Sequence, residues 1–329
     1  MQLIMIVSVE DTERAIQNIK YIKQNLPVDK IIIIGNKETE KIVRRTKAQA
    51  DICFLDEDSL YQVMSFQSIG DIIVTRSGMQ GRAGWYFQQF LKMAYAMVCE
   101  EEYYLVWDGD TIPVRPIELF HQNGKPYMAL KTEYNKPYFD TLKNLLDLDK
   151  VREESFISEH MLIRTSYMRE LIKEIEQNHS YEGKAFFEKI LFAVEKDMLR
   201  SSGFSEYETY GTYVTVRYPD AYEYIPYKSC RHTVSMIGLH PTDEQILWMA
   251  EIYEAISFEK WDSPIRLLTG LTRKEWFRQL IGIRRYDKIC WSRCEMKFWF
   301  QRTKRKIGRF IKRKIVYPLM RADGSEDAK

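Results

Sequence analysis

Residues Leu3 to Asn36 read LIMIVSVEDTERAIQNIKYIKQNLPVDKIIIIGN, and the order of patterns within them decides the fold class. The apolar run Leu3 to Val9 has the length of a strand. Asp11 to Asn25 then sets Ala15, Ile19 and Ile22 on one helical face, and four consecutive isoleucines, Ile31 to Ile34, stop at Gly35-Asn36. Four β-branched residues in a row suit a strand buried on both faces, as in sheets whose strands are joined by helices. A charged helical stretch, Glu38 to Gln49, followed by Ile52 to Leu55 repeats the alternation. The prediction is an open α/β sheet with helices on both sides.

Working outward, the 329 residues are 45% hydrophobic and 29% charged, which excludes a disordered chain, a collagen and a small disulfide scaffold. Five cysteines form no CxxC pair, so reduced thiols are expected. No apolar run approaches the ~18 residues of a membrane span, and MQLIMIVSVEDTER lacks the marks of a signal peptide. A cytoplasmic protein is expected. The net charge of +2 conceals an asymmetry: Arg284 to Arg321 hold fourteen basic residues against Asp287 and Glu295, while residues 1–283 sum to −8.

The next informative stretch is Tyr103 to Pro116, YYLVWDGDTIPVRP, an apolar strand that ends at Asp108-Gly109-Asp110. Residues two apart in an extended chain point to one side, and the glycine between them would let a ligand approach the backbone. Two hard oxygen donors suit Mg²⁺ or Mn²⁺, with waters and diphosphate oxygens completing the shell. Ligands of open α/β sheets collect at the carboxyl ends of strands, where this pair falls. Taken alone, the triplet reads first as a solvated turn after a strand and only second as a metal site.

Upstream, the glycine-rich GMQGRAG (Gly78 to Gly84) reads as a mobile loop before a helix from Trp85 to Cys99. On that helix Gln88 and Lys92 are four apart and share a face, so an amide and a cation could meet a sugar hydroxyl and a phosphate together. Trp85, Phe87 and Phe90 read as packing. Arg76 and Arg82 flank the loop, either as phosphate-binding guanidinium groups or as solvated charges. Downstream come a polar, Lys-rich middle (Lys131 to Lys150), an apolar strand at Phe156 to Ile163, and a helix from Tyr167 to Gln177. A helix over Ser205 to Tyr213 follows, then irregular strand from Thr215 to Tyr227, and a capping box at Thr242 and Gln245 opens a helix to about Ile256.

The ordered set GWYFQQFLKMAYA, YYLVWDGDTIPVRP, FISEHMLIR and GFSEYETYG resembles the nucleotide-sugar-dependent glycosyltransferases of the GT-A fold, over about residues 1 to 240. More closely, it looks like a bacterial group sharing Gly-Trp with paired glutamines, a DxD strand end, Ser-x-His and FSEYE-x-YG. The resemblance implies a Rossmann-like open mixed sheet flanked by helices, with Asp108 and Asp110 on the metal and Asp108 also near the donor ribose. It brings Gln88, Gln89, Lys92 and Arg82 into the donor site. Glu206 or Glu208, after the N-cap Ser205, would supply the base of an inverting enzyme, and His232, then His240, would be a late metal ligand. His160 becomes an acceptor-site candidate, although a lone histidine in an apolar strand is more often a hydrogen-bonded core residue. Either glutamate also fits as a helix-start carboxylate favoured by the dipole.

The closing KFWFQRTKRKIGRFIKRKIVYPLM is basic and amphipathic, with Phe300, Ile307, Phe310, Ile311 and Ile315 near one face. Such a helix lies well on an anionic membrane, and no stacking module or helix-turn-helix points to nucleic acid. The expectation is therefore a catalytic domain over 1–240 and a helical, basic, membrane-binding region over 241–329. The expected activity is metal-dependent glycosyl transfer to a lipid-linked or polysaccharide acceptor in bacterial surface glycan biosynthesis, peripheral to the inner face of the plasma membrane. A sugar-phosphate nucleotidyltransferase and a non-catalytic membrane-peripheral scaffold are the alternatives.

Overall fold

The computed structural model describes residues 1–46 and 52–291, which divide into two units. The first comprises residues 1–234 with 253–263, and the second 235–252 with the residues from 264 onward. The boundary thus falls before 240, and a short segment returns to the first unit because its strand pairs there. The basic arm read from Arg284 lies outside the described residues from 292 on, as does the end of the helix expected to reach Gln49.

The first unit opens β1 (Gln2–Ile6), α1 (Val9–Asn25), β2 (Lys30–Gly35), α2 (Lys37–Arg45) and β3 (Ile52–Asp56). It continues with α3 (Phe66–Ser77), α4 (Ala83–Ala94), β4 (Tyr103–Trp107), β5 (Thr111–Pro113), β6 (Tyr127–Leu130), α5 (Lys136–Leu146) and β7 (His160–Arg164). Then come α6 (Thr165–Glu176), α7 (Phe186–Ala193), α8 (Glu206–Arg217), β8 (Glu223–Pro226) and β9 (Ser229–Cys230). The short α9 (Thr233–Ile237) crosses the boundary, the second unit holds α10 (Asp243–Ala250), and β10 (Ala255–Ser257) belongs to the returning segment. The second unit resumes with α11 (Arg266–Thr272), α12 (Glu275–Ile281) and helical residues 283–291.

The main sheet has strand order β3-β2-β1-β4-β7, parallel except for β7, which runs antiparallel to β4. This is the open mixed sheet flanked by helices that the sequence predicts. Alternate residues of each strand enter different cores: Ile4, Ile6, Ile32, Ile34 and Val106 on one side, Leu3, Met5, Ile31, Ile33 and Leu105 on the other. Both faces being covered is why the strand sequences read as unbroken apolar runs. A second sheet, β5-β10-β9, ties 253–263 to the chain just after the acidic triplet.

The glycine-rich stretch is a loop over residues 78–82, entered through Gly78, the left-handed C-cap of α3 at φ 74°, and left at Ala83, where α4 begins. Three other local readings are corrected. The Lys-rich middle contains α5, whose Phe139, Leu142, Leu145 and Leu146 are buried on one face. Residues Thr215 to Arg217 continue α8 instead of starting a strand, because Tyr207, Tyr210, Tyr213 and Val214 bury a helical face. The capping box at Thr242 and Gln245 forms, but α10 ends at Ala250 and the chain turns into β10. Among the described residues no helix is long and apolar enough to cross a membrane.

Candidate active site

The carboxyl ends of β1, β3 and β4 open into a cleft of about 710 Å³ in the first unit. Asp108, Gly109 and Asp110 follow β4 directly and line it. Glu57 follows β3, and α4 and the start of α8 supply another wall with Gln88, Gln89, Lys92 and Glu206. Gly109 serves packing here, since a Cβ at that position would lie 2.6 Å from Val7 Cγ1. The close approach that requires glycine is therefore made by the protein's own strand end.

At the cleft floor, a buried lysine joins two carboxylates. Lys92 Nζ lies 2.9 Å from Asp108 Oδ1, 2.9 Å from Glu206 Oε1 and 3.3 Å from the Tyr207 hydroxyl. Its three donors are thereby occupied. Burial alone would favour loss of the proton, but Asp108 and Glu206 outweigh it and hold the Lys92 pKa well above its usual value. Burial in turn raises the Glu206 carboxyl, against the pull of Lys92. The Gln89 amide, with its nitrogen turned toward Glu206, donates to the same carboxylate. Ser205 caps α8 by accepting from the Glu208 amide at 3.3 Å, which fixes Glu206 as the first helical residue, facing α4.

The opposite wall is a network around Arg231, which pairs with Glu133 at 2.6 Å and with Glu259 at 2.5 Å. Trp261 is half-exposed beside it and donates from Nε1 to Glu259 at 2.9 Å. Between the walls, burial first and then Asp108 and Glu259 push the Asp110 carboxyl up to about 7. Glu57 is likewise raised to about 7, by burial and by Asp58 and Asp56. Glu159 is buried in the cleft lining, with Oε1 held by Lys131 at 2.8 Å and by the Ser229 hydroxyl at 2.8 Å, while Oε2 has no hydrogen-bond partner. Burial opposes ionisation of Glu159, but Lys131 prevails and its pKa is lowered. Eight carboxylates and four cationic side chains line the cleft. Among the cations, Lys92, Arg231 and Lys260 are already ion-paired, the last with Asp11 at 2.8 Å.

Of the residues singled out from sequence, Asp108, Asp110, Gln88, Gln89, Lys92, Arg82 and Glu206 come together here. Lys92 does so as the occupied hub of an ion-pair network, and the Arg82 guanidinium lies 4.8 Å from the Trp85 ring. Glu208 does not line the cleft: it accepts from the Ser155 hydroxyl, and burial raises its pKa. Neither does His160, whose ring stacks on Trp107 at 5.2 Å and meets Tyr227 edge-on at 4.6 Å. Burial holds its pKa down to about 4. Arg76 donates to the main-chain carbonyls of Leu191 and Val194, a structural role. His232 packs edge-on against Trp261 at 5.0 Å, and His240 belongs to the second unit.

Among the described residues no group of three His, Cys, Asp or Glu side chains is arranged as a self-sufficient metal cage. The donor set nevertheless fits a hard divalent cation, because such ions use one or two carboxylates and take the rest of their shell from water and phosphate. Asp110 supports that fit, since the neighbouring negative charges that raise its pKa are what a cation would relieve. Sequence reasoning missed Glu57, Glu133, Arg231, Glu259 and Trp261 as cleft residues. The position of Glu57 after a predicted parallel strand is a usable signal, whereas Glu133 follows β6 and Arg231, Glu259 and Trp261 follow β9 and β10 of the short second sheet.

Residues 17–265 match the model of a family of unknown function, DUF6492. No curated protein matches the chain. Among solved structures, it is similar to mouse xyloside xylosyltransferase 1 in its apo form, at 12% identity and a TM-score of 0.41, covering 80% of this chain and 98% of that one. It is similar to the galactosyltransferase LgtC in complex with donor and acceptor sugar analogs, at 9% identity and a TM-score of 0.42, covering 85% and 99%. A third likeness is to the apo form of the glycosyltransferase GlyE of Streptococcus pneumoniae TIGR4, at 11% identity and a TM-score of 0.37, covering 84% and 60%.

Proposed function

The chain belongs to DUF6492, a family of unknown function, and from that premise we propose that it is a metal-dependent glycosyltransferase. Its donor is a nucleotide sugar, and its acceptor a lipid-linked or polysaccharide chain of a bacterial surface glycan. The observation that supports this most is the charge balance of the cleft. A site with eight carboxylates and four cations, three of them already paired, repels an anion such as a nucleoside diphosphate unless a divalent cation comes with it.

Asp108 and Asp110 would hold that cation, with Glu259 nearby. Bound there, it would neutralise charge on the departing nucleoside diphosphate. The protein's own residues do the positioning. Lys92 fixes the Asp108 carboxylate from the side away from solvent, and Glu206 and Tyr207 fix Lys92 in turn. Gln88 holds its amide against the Ile6 carbonyl at 3.3 Å, close to the strand ends. Glu159 is held ionised in the cleft lining by Lys131. Trp261 offers an apolar face for a sugar or base.

The test is a panel of nucleotide sugars incubated with the purified protein, measuring nucleoside diphosphate release with Mn²⁺ and with chelator. Metal-dependent release from at least one donor is expected. Pyrophosphate formed from a nucleoside triphosphate and a sugar phosphate would instead make it a nucleotidyltransferase, and neither binding nor turnover of any donor would remove the proposal.

A further inference from the structure

Helix α12 of the second unit keeps its large apolar side chains out of the buried core. Its sequence, EWFRQLI, contains four large apolar residues in seven, and none of them is buried. Trp276 is 58% and Leu280 74% exposed, and a spacing of four puts them on one face. In α11, Leu267 is 72% exposed. Single exposed leucines need no explanation, but a helix that buries none of its apolar residues does.

The same segment is strongly basic. Residues 264–291 hold seven Lys and Arg against Glu275 and Asp287. Arg266, Arg273, Lys274, Arg284, Arg285 and Lys288 are all exposed. Arg273 and Arg278 donate to the main-chain carbonyls of His240 and Thr272, so these contacts leave the positive charge in place. In the helical residues 283–291, Ile283, Tyr286 and Cys290 are buried, while Arg284, Lys288 and Trp291, spaced at four and three, lie on an exposed side.

We propose that α11, α12 and residues 283–291 form a face that docks on an anionic lipid bilayer, with Trp276 and Leu280 entering the interface and the surrounding guanidinium and ammonium groups meeting lipid phosphates. Exposed apolar side chains interspersed with cations are what such an interface binds. Charge argues against the other occupants: a second copy would bring the same positive face against itself, and the residues after 291 are also predominantly basic. The face extends the expected membrane contact to residues before Arg284 and gives it apolar anchors. It does not depend on the reaction in the cleft.

The experiment is sedimentation of the full chain with vesicles of phosphatidylcholine containing 30% phosphatidylglycerol, roughly the anionic fraction that gives a negative surface potential. Vesicles of phosphatidylcholine alone are the control. The wild type should bind the anionic vesicles and be released by high salt, and Trp276→Ala/Leu280→Ala should lower partitioning about tenfold or more. Brominated acyl chains should quench a tryptophan signal that is missing in Trp276→Phe, a reading that requires no loss of folding. Unchanged partitioning of the double variant, or quenching identical in Trp276→Phe and wild type, would overturn the proposal. So would a wild-type dimer that the double variant dissociates while neither protein binds vesicles.

Discussion

The cleft of the first unit and helices α11 and α12 of the second break the same rule of burial in opposite directions. In the cleft, ionisable groups are inside: Lys92, Glu159 and Glu206 are each less than 5% exposed. On α11 and α12, large apolar groups are outside, with Leu267 and Leu280 more than 70% exposed. Buried charge costs folding energy unless paired, and exposed apolar surface forgoes it. The two departures differ in what holds them. The cleft's charges are locked by partners at hydrogen-bond distance, so each group there is coupled to the next. The exposed apolar residues contribute little to the packing of their own unit. Substitutions should therefore be costly in the first region and cheap in the second.

The largest effect is expected at Lys92. Lys92→Met leaves Asp108 and Glu206 facing each other without the cation between them, and removal of one partner of a buried pair costs about 3–5 kcal/mol. Urea unfolding should show that loss, and Lys92→Arg should recover only part of it because the guanidinium is larger. Next is His160, neutral in the core with a pKa of about 4 against 6.5 for an unperturbed imidazole. The unfolded chain takes up this proton below pH 6.5 and the folded one does not, so stability is present above that pH and is lost as pH falls toward 4. The contribution at stake is about 3 kcal/mol. His160→Phe should flatten that part of the pH-stability curve.

A sharper comparison lies within one helix turn. Glu206 lines the cleft and Glu208 does not. Glu206→Gln should reduce turnover by ~10²-fold or more, with a smaller effect on donor binding. Glu208→Gln should leave turnover within a few-fold, since an amide can still accept from Ser155. Equal losses in steady-state kinetics would erase the distinction. The smallest effect belongs to the other region: Leu280→Ser should change unfolding free energy by no more than ~0.5 kcal/mol, as is usual for exposed positions.

These contrasts also mark how far the sequence could be read. The β1-α1-β2 unit, the strand into Asp108, the Ser205 cap and the Thr242 box all depend on local patterns a few residues long, and all are present. The sequence pattern ends α8 early because Val214, Thr215 and Val216 favour strand locally, a preference overridden by the buried tyrosine face. The spacing of Gln88 and Lys92 placed both toward the cleft, but not which partners the ammonium would take. Those are Asp108, sixteen residues on, and Glu206, well over a hundred residues on. Arg231 and Glu259 were invisible for a related reason: they reach the cleft through β9 and β10, whose pairing is parallel and distant in sequence.

The central claim is that the acidic cleft accepts a nucleoside diphosphate through a divalent cation held by Asp108 and Asp110. Calorimetric titration of a nucleoside diphosphate into the wild type and Asp110→Asn, each with Mn²⁺ and with chelator, tests it most directly. The account predicts binding to the wild type only with Mn²⁺, and affinity about 10²-fold or more weaker in Asp110→Asn, whose fold is retained. Equal affinity with and without Mn²⁺, or equal affinity in the two proteins, would contradict it.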